Sequence, residues 1–360
     1  MGVTAVSDER RSPVSMGRIP ALDGLRGVAI LMVLGGHAGL IPGGGLGVDL
    51  FFALSGFVIT ALLLTEWIQF GHLDRRAFYR RRAVRLLPAL AAMLILLCGL
   101  SLLMIGPSGV LVEAAMGAAY VMNVVQAVSP QATLFSHLWS LAEEEQFYLV
   151  WPLALAWALR RGTPQKHLVA GLAVVAGLAI ADRATLALTG ASSHRIWYAP
   201  DTHCDAVVLG CAAAVIWTYR LRQFRPIHGY AAAIVLVAVA ASFHLDDRRL
   251  FVLPMAAFTV ASAVVVGSIA ENPDDALAKI MAWRPLQGLG KISYALYLWH
   301  LPLFVLGGTA VGMPLTLVAA AASYRYVERP LSKRWKHRLE PHRGHTAPAR
   351  IPLALGTNPR

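Results

Sequence analysis

The chain has 360 residues, of which 57% are hydrophobic and only 14% charged, with a formal net charge of +12. A soluble globular chain is about 25% charged, so this composition excludes a soluble enzyme on a single anchor and predicts one polytopic membrane domain. The basic residues flank apolar stretches, where they set membrane topology, so no nucleic-acid partner is expected. Cys98, Cys204 and Cys211 lie in or beside apolar runs and imply no disulfide framework. No HExxH, paired CxxC or Gly-Lys-Ser phosphate loop occurs, so neither a metal site nor direct nucleotide hydrolysis is expected.

Residues 1–17 form a polar arm, expected to be disordered and cytoplasmic. The first apolar run, Ala21–Ile41, carries Arg26 and His37 and suits a retained span better than a cleaved signal. Ten residues lie between the two, which puts them about 16–17 Å apart along a helix and at opposite depths of a membrane. An ionisable pair at that depth marks a working site by default. The bland alternative is Arg26 snorkelling to lipid phosphates and His37 satisfied between helices.

A second apolar run, near 46–69, opens on Gly47-Val48-Asp49. It is followed by the loop His72–Arg85, with six arginines against one acid. Arg82 and Arg85 share one helix face entering the membrane at Pro88. Such a fork suits phosphate, either of a lipid headgroup or of a coenzyme A nucleotide. After a span near 86–106, Gly109–Val125 is apolar but contains Glu113 and Asn123. Counting it as a crossing would place Arg160, Arg161 and Lys166 outside, so a re-entrant or interfacial helix on the outer side is expected.

The segment His137–Pro152 carries Glu143, Glu144 and Glu145, which point about 100° apart on a helix. Glu143 and Glu145 are expected to be solvated caps. An inward Glu144 needs a partner, and His37, at the same outer depth, is the expected one. Further on, Asp201-Thr202-His203-Cys204-Asp205 opens a span, although Asp and Thr are also ordinary helix caps. In Ser293–His300, the residues Tyr294, Tyr297 and His300 recur at i, i+3. An aromatic belt accounts for the tyrosines and Trp299, but less well for a mid-span His300.

The expected fold is all-α, with about ten transmembrane helices plus the one re-entrant or interfacial helix. The spans fall near 21–41, 46–69, 86–106, 139–159, 167–188, 203–219, 228–244, 250–270, 288–308 and 311–327. With both termini cytoplasmic, Arg183, Arg195, Arg248 and Arg249 lie outside and Arg26 within a span, leaving 27 of 32 Lys/Arg on the cytoplasmic side. Residues 336–360 form a tail, expected to be disordered.

Together these motifs resemble the acyltransferase 3 family of integral-membrane O-acyltransferases, over about Arg18 to Trp335. The resemblance runs through Leu22-Asp23-Gly24-Leu25-Arg26-Gly27 with His37 ten residues beyond Arg26, Gly47–Phe57, and Arg82-x-x-Arg85-x-x-Pro88. It continues through Trp139-Ser140-Leu141-x-x-Glu144-Glu145-Gln146-Phe147-Tyr148, Ser293-Tyr294-x-Leu296-Tyr297-x-Trp299-His300 and Tyr326-Val327-Glu328-Arg329-Pro330. His203 departs from the pattern, since many relatives carry Arg there.

The resemblance implies a domain spanning 18–335 in a bacterial cytoplasmic membrane. It implies transfer of an acyl group, commonly acetyl, from acyl-coenzyme A as co-substrate to a hydroxyl of a sugar, envelope glycan or glycosylated metabolite such as a macrolide. No tightly bound cofactor is implied. His37 is the expected base, since its ordinary pKa near 6.5 is close to operating pH, and Glu144 is expected to orient it. Arg82 and Arg85 are expected to hold the coenzyme phosphates, with Arg26 supporting the cavity between. Asp49, Ser140, Asp205, Tyr297 and His300 are further candidates. Direct transfer and an acyl-imidazole on His37 are both compatible. Many family members add a soluble hydrolase-like domain, and the short tail suggests a stand-alone type. The competing class is a proton-coupled transporter, but no internal repeat of the kind transporters show is found between the two halves.

Overall fold

A computed structural model describes residues 16–104, 109–130 and 133–333 of the chain. The proposed tail and all but the last two residues of the proposed arm lie outside them. Every regular element among the described residues is helical. In chain order the α-helices are α1 (Pro20–His37), α2 (Gly47–Phe70), α3 (Arg75–Met104), α4 (Val110–Ala118), α5 (Met122–Val128), α6 (Leu138–Arg160), α7 (Gln165–Thr189) and α8 (Ser193–Tyr198). They continue with α9 (Pro200–His203), α10 (Asp205–Thr218), α11 (Pro226–Ser242), α12 (Pro254–Glu271), α13 (Ala276–Met281), α14 (Arg284–Lys291) and α15 (Ser293–Ser323). Among the described residues, five helices are long and apolar enough to cross a membrane: those at Gly44–Phe70, Arg75–Leu103, Gln165–Thr189, Pro254–Glu271 and Ser293–Lys333. Their length and composition make the chain a membrane protein. The 14-residue α10 and the 17-residue α11 are shorter apolar helices.

The core forms where small residues let backbones meet. A Cβ on Gly56 of α2 would stand 2.0 Å from the Val207 carbonyl oxygen, and one on Gly210 of α10 would stand 2.1 Å from that of Ala53. Only glycine allows this reciprocal approach, which is how membrane helices gain dispersion contact without a hydrophobic driving force. Gly27 on α1 and Gly290 on α14 make a similar contact, with 2.3 Å to the Leu286 oxygen and 1.7 Å to the Asp23 oxygen. The α1–α14 contact seats the arginine-bearing start of α1 beside the start of α15.

Gly109–Val125 does not form one continuous helix. It is divided between the nine-residue α4 and the seven-residue α5, separated at Tyr120 with φ 56°. Nine residues extend only about 13 Å, less than half of a bilayer core of about 30 Å. The spans expected near 288–308 and 311–327 form the two legs of α15. Gly308, with φ 64° and ψ 175°, breaks the helix in a region that only glycine readily enters. A straight helix would separate Leu303 and Gly312 by about 13 Å. Instead a Cβ on Gly312 would lie 2.6 Å from the Leu303 oxygen, so the legs fold back on each other at the break.

Arg183 corrects the expected charge map. Counted with the outer charges, it lies within α7 and is fully buried. Its guanidinium donates to both carboxylate oxygens of Asp205 on α10, at 2.7 and 2.9 Å, while Thr259 on α12 donates to Asp205 at 2.8 Å. A buried charge needs a partner and further hydrogen bonds, and this trio supplies both while tying three helices together.

Candidate active site

The three glutamates of α6 go in three directions, and all three enter the protein. Glu145 turns toward α3, where Arg82 donates to its Oε1 from Nε at 3.0 Å and from Nη2 at 2.7 Å. It is therefore the partner of Arg82, not a solvated cap. Glu143 turns the other way and is 3% exposed, with neither carboxylate oxygen hydrogen-bonded among the described residues. That position also overturns the expected cap.

Glu144 lies between them. Its Oε1 accepts from the hydroxyls of Ser55 on α2 and Tyr148 one turn along α6, and Arg82 Nη2 is 3.8 Å away. The Arg82 guanidinium also stacks over the Tyr148 ring, 3.2 Å from its centroid. These contacts displace the expected pairing of Glu144 with His37, which the structure does not form among the described residues. Glu144 belongs to the arginine cluster, and sequence spacing could not have identified Ser55 as its partner from 89 residues away. Tyr148, four residues on along the same helix, was in reach of that spacing.

Ser140 and Glu144, four residues apart on α6, share a face. With Arg26, Ser55, Tyr294 and Tyr297 they line a cavity of about 60 Å³. Arg26 Nε has no hydrogen-bond partner among the described residues. Ser140 Oγ and the Tyr297 hydroxyl are 2.5 Å apart, and the latter donates to the His137 carbonyl. A carbonyl can only accept, so the Ser140 hydroxyl must donate to Tyr297. Tyr294 donates to the Leu86 carbonyl at 2.9 Å, tying α15 to α3. Arg85, one turn beyond Arg82, is exposed and faces two further cavities.

Beyond Tyr297 the cluster continues into histidines. The rings of His37 and His300 meet edge-on at 4.9 Å, and those of His137 and His300 at 5.4 Å. His37, the last residue of α1, is exposed, whereas His300 and His137 are buried. His37 Nδ1 lies 2.9 Å from the Val33 carbonyl oxygen, which fixes the proton on Nδ1 and leaves Nε2 with a free lone pair. His300 Nδ1 likewise donates to the Tyr297 carbonyl, at 2.6 Å. The sequence reading missed His137; the only available signal was its place at the start of the Trp139 motif.

Asp49 and Asp205 lie apart from this path. Asp49 is buried with Oδ1 3.0 Å from His203 Nε2, and His203 Nδ1 is 2.5 Å from the Trp197 carbonyl oxygen. Both imidazole nitrogens thus face acceptors, an arrangement that holds His203 as the cation opposite Asp49. No group of three or more His, Cys, Asp or Glu side chains suited to a metal ion occurs among the described residues.

A family model described as an acyltransferase domain matches residues 19–324. The chain belongs to the acyltransferase 3 family. O-acetyltransferase OatA of Staphylococcus aureus (strain NCTC 8325) is 29% identical over 352 residues, covering 88% of this acyltransferase 3 chain and 57% of the relative. Peptidoglycan O-acetyltransferase OatA of Listeria monocytogenes (strain EGD-e) is 29% identical over 360 residues, covering 90% and 57%. YrhL of Bacillus subtilis (strain 168) is 30% identical over 351 residues, covering 87% and 55%. The chain spans little more than half the length of these curated relatives. No solved structure matches it.

Proposed function

We propose that this chain transfers an acyl group, most simply acetyl, from acyl-coenzyme A to a sugar hydroxyl of an envelope glycan. One observation carries the reading. A file of polar groups leads from the arginines at the start of α3, through Arg26, Glu144 and Ser140, to Tyr297, His300 and the exposed His37. Such a file suits acyl transfer, because the charged end of the donor and the acceptor hydroxyl would approach the thioester from opposite ends of it. The names of the Staphylococcus and Listeria relatives favour acetyl as the acyl group, and the Listeria name favours a peptidoglycan sugar as the acceptor class.

In this mechanism the free Nε2 of His37 takes the acceptor hydroxyl proton as the oxygen attacks the thioester carbonyl. The C–S bond then breaks, and the proton returns to the departing thiolate, giving an ester and free coenzyme A. His300 packs against His37 and positions its ring. Glu144 acts at a distance from the base: with Ser55, Tyr148 and Glu145 it fixes Arg82 and closes the inner wall of the cavity. The start of α3 faces the cytoplasm, where acyl-coenzyme A is made.

The test uses protein in lipid nanodiscs with radiolabelled acetyl-coenzyme A and soluble glycan fragments. Label in the glycan, matched by release of free thiol, is the expected result. Thiol release without glycan labelling would reject the acceptor class, and neither product would reject the transferase reading.

A further inference from the structure

A second cavity, of about 330 Å³, lies between α3, the α14–α15 junction and the turn that follows α15. Four cations line it, Arg85, Lys291, Arg329 and Lys333, against one carboxylate, Glu328. None of the four makes an ion pair or side-chain hydrogen bond among the described residues, in contrast to Arg82. Arg82 is held by Glu145 and covered by Tyr148, so its donors are largely committed before any ligand arrives. Uncommitted positive charge thus lines the second cavity.

Three further features point to a ligand. Tyr324–Glu328 forms a π-helical turn, a rare widening that often marks functional sites. Arg329 and Lys333, four residues apart, share a helix face and repel each other unless an anion sits between them. Glu328 is 8% exposed and its Oε1 has no hydrogen-bond partner among the described residues, an unfavourable state for a carboxylate unless an O–H or N–H donor is supplied. A bare phosphate would suit the cations and be repelled by Glu328. A ribose phosphate satisfies both, placing phosphate oxygens on the cations and a hydroxyl on the carboxylate. Ser293 and Tyr294 line this cavity and also the one that holds Arg26, Ser140 and Glu144, so the two adjoin.

We propose that this cavity binds the ribose 3′-phosphate end of the acyl donor, with Lys291, Arg329 and Lys333 on the phosphate and Glu328 on the ribose hydroxyl. The pantetheine arm then passes Tyr294 toward Tyr297. This inference rests on acyl-coenzyme A being the donor, and its test is a binding measurement that does not need turnover. Coenzyme A and 3′-dephospho-coenzyme A are titrated into the protein in zwitterionic nanodiscs.

Wild type should bind coenzyme A at least tenfold more tightly. The triple variant Lys291→Ala, Arg329→Ala, Lys333→Ala should bind the two alike, at the dephospho level. A charge-conserving triple variant, Lys291→Arg, Arg329→Lys, Lys333→Arg, should keep most of the preference, which separates lost charge from lost fold. Glu328→Gln should weaken both ligands to a similar degree. Equal binding of the two nucleotides by wild type would overturn the proposal. So would a preference that survives the alanine triple variant, or one abolished by replacing a third of the lipid with an anionic lipid, which would assign the cations to headgroups. Tenfold discrimination without acyl transfer would keep the site and reject the transferase reading; transfer without discrimination would do the reverse.

Discussion

Arg82 and Arg85 look equivalent as a spaced pair, yet their surroundings separate them. Arg82→Ala removes the cation that holds Glu145 and adjoins Glu144, so we expect a loss of about 1.5–3 kcal/mol of stability. It should be read as a lower thermal unfolding temperature in detergent. Arg85→Ala should leave that temperature within error and raise KM for acyl-coenzyme A several-fold. Equal thermal losses for the two variants would contradict this division. Arg183→Met leaves Asp205 without its cation at a site with no solvent, where breaking such a pair costs about 3–5 kcal/mol. That variant should fail to accumulate, while Arg183→Met with Asp205→Leu should recover part of the loss. Failure of the double variant to recover would mean that Asp205 has another essential partner.

At the scale of elements, glycine contacts decide which helices can meet. Gly56→Leu would force α2 from α10, and overpacking of this kind costs about 1–3 kcal/mol or more. Gly308→Ala should also destabilise, by about 1–3 kcal/mol, through its backbone conformation and not through contacts, since open space surrounds that position. Both are checked by thermal unfolding of purified protein, and an unchanged Gly308→Ala would show that the fold-back of α15 does not depend on glycine. The helices themselves were legible in the sequence, because long apolar runs and glycine or proline punctuation are local. Charge parity argued against a full crossing by Gly109–Val125, but not that it divides into α4 and α5 at Tyr120. The partners of the glutamates were not legible. Spacing gives the angle between Glu143, Glu144 and Glu145, but which neighbour faces each depends on α2 and α3, packed from far along the chain. Arg183 was counted with the outer charges for the same reason: near a helix end it reads as a surface charge unless the buried Asp205 beside it is known.

At the scale of the whole molecule, the account requires the arginine-lined end to face the cytoplasm and the His37 end the opposite side. Single cysteines at Ser129 and Thr163, in a background lacking Cys98, Cys204 and Cys211, test this with an impermeant maleimide on intact cells. Labelling at Ser129→Cys alone is expected, and labelling at Thr163→Cys would invert the topology. The central claim is that His37 drives acyl transfer to a glycan. It is tested most directly by mass spectrometry of envelope glycans from cells expressing wild type, His37→Ala or neither. The account predicts one added acyl mass on a glycan sugar with wild type only, with His37→Ala present in the membrane at normal abundance. An equal acyl gain with His37→Ala would contradict it.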